Sequence, residues 1–74
     1  MLMSTALQNV VRDNICHLLT EYGWTQEDLA REAGVTQGFV SHILTGRRNP
    51  GMKAVARFAK ALQVEPLQLM TEKK

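Results

Sequence analysis

Residues 26–46 read QEDLAREAGVTQGFVSHILTG, and this stretch decides the fold. Apolar residues recur there at three- and four-residue intervals, the spacing of helices, with no period-two run that would suggest a strand. Gly34 divides the stretch, supplying the positive φ of a sharp turn without strain. Thr25 and Thr36 are N-caps for the two helices. Asp28 stands three residues after Thr25 as an approximate capping box. Trp24 with Leu29, and Val35 with Val40, have the spacing of hydrophobic staples. Leu29, Ala30 and Ala33 are expected to face inward, with Ala30 small so that the two helices can cross closely. Val40, Ile43 and Leu44 form the buried side of the second helix, and Gly46 ends it. Its opposite face shows Gln37, Gly38, Ser41, His42 and Thr45, all short or polar.

Three more helices flank this pair. The first runs from Ser4 or Thr5 to Tyr22, with Leu7, Val11, Ile15, Leu18 and Tyr22 as a buried stripe and Gly23 as a left-handed stop. The fourth spans about Met52 to Gln63, with Met52, Val55, Phe58, Ala59 and Leu62 inward and Lys53, Arg57 and Lys60 outward. A short fifth spans about Pro66 to Met70, with Pro66 at its tolerated first position. Short connections between five helices predict a compact all-α bundle. The 74 residues make one domain, 1–74, with a core over about 7–70 and a polar tail at 71–74. A core of this size supplies only about 3–5 kcal/mol, so close helix packing or dimerisation would help it.

Composition, at 45% apolar and 22% charged, is ordinary for a soluble globular chain. Cys16 is alone, which excludes an internal disulfide and fits a reducing compartment. No apolar run approaches a membrane span of about 18 residues, and the N-terminus lacks a basic leader. A cytoplasmic location follows by default. The net charge of +2 says little, but its distribution is uneven. Residues 1–35 balance to −3, residues 36–64 to +5 with no acid among them, and the last ten residues to zero. A basic half beginning at the second helix of the pair suits a polyanion. The alternative is a solvated face that lacks acids.

The pattern Gln26, Ala30, Gly34, Val35, Val40, Ile43, Gly46 resembles the helix-turn-helix of the lambda repressor/Cro-like (Xre-type) family, and RRNPGMKAVARFAKALQV resembles that family's fourth helix and its lead-in. The resemblance covers about residues 7–70, nearly the whole chain. It implies a five-helix lambda-repressor-like DNA-binding domain. The second helix of the pair would dock in the major groove of double-stranded operator DNA, usually as a two-fold homodimer on a near-palindromic site. It further implies a bacterial or phage origin, a nucleoid-associated location when bound, and no metal, cofactor or membrane partner.

Carried over residue by residue, the resemblance gives Gln37 the base-reading position, where its amide can bond adenine N6 and N7. Gly38, Ser41 and His42 take the remaining base-facing positions. His42 as an imidazolium would donate to guanine, and affinity would then fall as pH rises past about 6.5; otherwise it is a neutral surface histidine. Gly38 either lets the backbone approach a base pair or sits near enough to a helix end that its local cost is small. Phosphate contacts are expected from Thr25, Gln26, Thr36, Thr45, Arg47, Arg48, Asn49 and Lys53, which position the protein without reading sequence. Arg57 and Lys60 are expected to be solvated.

Three departures from the family pattern stand out. Many relatives carry an ion pair at the positions of Leu19 and Leu44. Two leucines there are expected to touch, an exchange that is often neutral or stabilising. Gln63 replaces a usual glycine, so it either adopts a left-handed conformation or the helix runs on. Leu67 and Met70 add apolar surface, either as a dimer interface or as satellite core packing.

An enzyme is not expected. Cys16 and His17 are adjacent on one helix and no four-ligand zinc set exists. GRRNPG is not a phosphate loop, and Ser41 and His42 lack an ordered acid. Cys16 reads as a small packing residue. The competing function is a protein-interaction adaptor or antitoxin-type regulator that keeps the fold while DNA binding becomes secondary. A repressor is favoured because blocking a promoter needs only occupancy.

Overall fold

In the computed structural model, residues 5–72 are described. They form α1 (Thr5–Tyr22), α2 (Gln26–Ala33), α3 (Gln37–Leu44), α4 (Met52–Leu62) and α5 (Pro66–Met70), with no strand among the described residues. Ser4, one of the two expected starts of the first helix, lies outside them. The α2–α3 pair packs on α4, and α1 lies against α5. One core unites the helices: Val11, Ile15, Leu19, Leu29, Val40, Ile43, Val55, Phe58, Leu62 and Leu69 are all buried.

Local chemistry sets the helix ends. The Thr25 side chain accepts from the Asp28 amide at 3.1 Å, and the Asp28 carboxylate accepts from the Thr25 amide at 2.8 Å, completing the capping box. That backbone bond first, and then Arg31, hold the Asp28 carboxyl below its ordinary range. The ionised cap therefore stabilises the fold above the ordinary carboxylate range and loses that effect as pH falls through and below it. At the other end Gly34 is left-handed, with φ 71°, and the Val35 amide returns to the Ala30 carbonyl at 3.0 Å. This bonding satisfies carbonyls that the helix itself cannot. α1 ends in the same way, the Trp24 amide reaching the Leu19 carbonyl at 2.9 Å.

Gln63 takes the left-handed alternative, with φ 60°, and α4 stops at Leu62. The Val64 amide reaches Ala59 at 2.9 Å, and the Tyr22 hydroxyl donates to the Leu62 carbonyl at 2.7 Å. These bonds offset the strain of a side chain at positive φ.

Leu7, Leu18 and Leu44, expected to be buried, are only half-buried, and four other positions depart further from the expected pattern. Tyr22 is 41% exposed, because its ring lies at the end of α1 and its hydroxyl is spent on Leu62. Met52 is 50% exposed at the first residue of α4, where the chain is still entering the core. Cys16 is exposed and does not serve as a packing residue; partial burial and the neighbouring Asp13 push its thiol up, away from reactivity. Asn14, by contrast, is buried on the stripe of α1. Its Nδ2 donates to the carbonyls of Leu69 at 2.8 Å and Thr71 at 2.9 Å, tying α1 to the end of α5. Leu19 is buried, and Leu44 packs against the same apolar cluster.

Candidate nucleic-acid interface

α3 is seated by Val40 and Ile43, both buried, and by Phe39, whose ring lies 6.2 Å from that of Phe58 on α4. Its outer side is therefore fixed in orientation. Gln37, Gly38 and His42 are exposed there, and Ser41 is half-buried. These are the base-facing candidates, and the fold brings them together on one surface. A Cβ added at Gly38 would meet nothing within 4 Å, so the protein itself does not demand glycine at this position.

The N-terminus of α3 has donors to spare. Thr36 caps it by accepting from the Phe39 amide at 3.1 Å. The amides of Gln37 and Gly38 have no acceptor among the described residues. Such free amides at the positive end of a helix favour an anion. The N-terminus of α2 is less open, because the Asp28 carboxylate already occupies the Thr25 amide. Gln26 is half-buried at the start of α2. Thr45 is turned back: its hydroxyl donates to the Ser41 carbonyl at 2.8 Å rather than outward.

The loop after α3 carries the cations. Arg47 is exposed. The Arg48 guanidinium lies 5.0 Å over the Phe39 ring, a contact that orients the side chain while leaving its charge in place. Its amide donates to the His42 carbonyl at 2.9 Å. The Asn49 side-chain oxygen accepts from Arg12 at 2.7 Å. Lys53 is exposed on the first turn of α4. None of Arg47, Arg48, Lys53, Arg57 and Lys60 has an ion-pair partner among the described residues.

Arg12 is the participant that sequence reasoning missed. Its Nε donates to the Ile43 carbonyl at 2.7 Å, and its two terminal nitrogens donate to Asn9 at 2.9 Å and Asn49 at 2.7 Å. Nothing in the local pattern of α1 signals this, since the partners on α3 and the loop lie 31 and 37 residues away.

A helix pair joined by a glycine turn, with a bare polar second helix and a cationic loop beside it, defines a helix-turn-helix domain. The helix-turn-helix family model HTH_3 matches residues 17–69, and the chain belongs to this Cro/C1-type (Xre) family. It is 34% identical over 65 residues to the uncharacterized HTH-type transcriptional regulator y4dJ of Sinorhizobium fredii, covering 88% of this chain and 84% of that one. It is 33% identical over 64 residues to a hypothetical transcription factor of Neisseria meningitidis serogroup B, covering 86% of this chain and 60% of that protein. The crystal structure of the hypothetical transcription factor NHTF from Neisseria superposes with a TM-score of 0.84 at 32% identity, covering 89% of this chain and 76% of that one. The chain is a DNA-binding transcriptional regulator with a lambda-repressor-like fold. No helix among the described residues is long and apolar enough to cross a membrane.

Proposed function

We propose that the protein is a sequence-specific repressor that occupies operator DNA by inserting α3 into the major groove. The observation that carries this reading is the bare outer side of α3, where Gln37, Gly38 and His42 are exposed beside a cationic loop without acids. Gln37, Gly38, Ser41 and His42 read base edges. Thr36, Gln26, Arg47, Arg48, Asn49 and Lys53 hold phosphates. Thr25 contributes its hydroxyl, and Thr45 contributes only if its hydroxyl leaves Ser41. Occupancy alone then blocks a promoter, in the cytoplasm and on the nucleoid.

The reading includes a homodimer on a near-palindromic site, with recognition helices about 34 Å apart. Leu67 supports it, being 68% exposed at an apolar groove between α1 and α5 that Leu18 and Val64 also line. Met70 is half-buried and packs on the core, which leaves Leu67 as the better candidate for the contact.

Titration of labelled duplexes at two salt concentrations tests the function. Specific binding weakens steeply with salt while one site stays preferred; silence toward a random pool at both salts favours the adaptor reading. Arg47→Ala is expected to weaken all sequences alike and to reduce the salt slope by about one. A loss confined to one sequence would remove Arg47 from the phosphate set. Gly38→Ala is expected to leave the melting temperature unchanged or raised, since the exchange favours a helix by up to about 1 kcal/mol, yet to weaken operator binding. Unchanged affinity would show that Gly38 does not lie against a base pair.

A further inference from the structure

We infer that Arg12 is a positioning residue for DNA binding, acting through Asn49 and the end of α3. This inference rests on the reading of Asn49 as a phosphate contact. A guanidinium is a rigid fork that stays charged, and here each of its three nitrogens has an acceptor on a different segment. Nε reaches the Ile43 carbonyl in the last turn of α3, one terminal nitrogen reaches Asn9 on α1, and the other reaches Asn49 in the loop. The half-buried charge of Arg12 at the C-terminal end of α3 also complements the helix dipole there.

The consequence for Asn49 is directional. A carboxamide has one acceptor oxygen and one donor NH2 group. With the oxygen turned to Arg12, the NH2 is left without a protein acceptor among the described residues, oriented to donate to a phosphate oxygen. A loop side chain without this hold would sample both faces, and a contact to DNA would have to order it first. Arg12 thereby links α1 rigidly to the segment that carries Arg47, Arg48 and Asn49.

Arg12 precedes the stretch 17–69 that the family model matches. Leu19 on α1 and Leu44 on α3 contribute only apolar packing to one cluster. In this chain the polar tie between the two helices comes from another turn of α1.

A double-mutant cycle on the full chain tests the inference, using a duplex selected from a randomised library. Arg12→Gln and Asn49→Ala are each expected to weaken binding about tenfold, the scale of one hydrogen bond to a charged group. The double variant should be no weaker than the weaker single variant. Asn49→Asp keeps the acceptor for Arg12 but removes the donor. It should melt at or above the wild-type temperature and still bind DNA more weakly than Asn49→Ala; a merely structural residue would move both readouts together. If Arg12→Gln does not fold, Arg12→Lys takes its place, because one ammonium cannot serve all three acceptors in this geometry. Losses that multiply in the double variant, or unchanged binding by Asn49→Ala, overturn the inference while leaving DNA binding intact. Failure of the wild-type chain to bind any duplex overturns the proposed function, and this inference with it.

Discussion

Phe58→Ala is expected to leave the chain largely unfolded at room temperature. Phe58 is the largest fully buried side chain, at 1% exposure, and sits at the middle of α4. Removing a buried phenylalanine costs about 3–5 kcal/mol, from lost apolar transfer and from the cavity left behind. A domain of this length has only about 3–5 kcal/mol to lose. The same substitution takes away the ring that backs Phe39 at 6.2 Å, and Phe39 in turn carries the Arg48 guanidinium at 5.0 Å. Loss of folding and loss of the ordered cation therefore share one cause. Thermal melting followed by helical circular dichroism checks this: a cooperative transition close to the wild-type temperature would show that the core is larger or more adaptable than described.

Gln37→Ala is expected to have the largest effect on recognition. The side chain is exposed at the first residue of α3, so its removal should leave the melting temperature nearly unchanged. A bidentate amide–adenine pair is worth about 1–3 kcal/mol of discrimination, a weakening of roughly 5- to 150-fold. The loss should fall on the preferred duplex, and preference at one base pair should relax while neighbouring positions keep theirs. Binding to duplexes substituted one base pair at a time reads this directly. An equal loss across all sequences would mean that Gln37 touches phosphate and not a base.

Much of the fold was legible because the signals are local. Thr25 and Thr36 announce two helix starts, Gly34 the turn between them, and Pro66 the last helix, since each residue acts on bonds within a few positions of itself. The spacing of Val40 and Ile43 orients α3, and with it the polar face of the candidate site. Gln63 was open because both alternatives satisfy local chemistry; the Tyr22 hydroxyl that braces the Leu62 carbonyl lies 40 residues away. Asn14 and Arg12 carry no local signal, for a related reason. Apolar periodicity assigns polar residues to the outside, whereas these two are held by carbonyls on helices that meet α1 only in the folded chain. Tyr22 and Met52 erred in the other direction, because apolar spacing at a helix end carries no information about whether the core extends that far.

The claim on which everything else depends is that the outer side of α3 meets DNA. Backbone amide shifts of the isotope-labelled chain, followed while a selected duplex is titrated in, test it most directly. The largest changes are expected at residues 36–42 and at Arg47, Arg48 and Asn49, with Gln26 beside them. Changes gathered instead around Leu18, Val64 and Leu67, with α3 silent, would contradict the account.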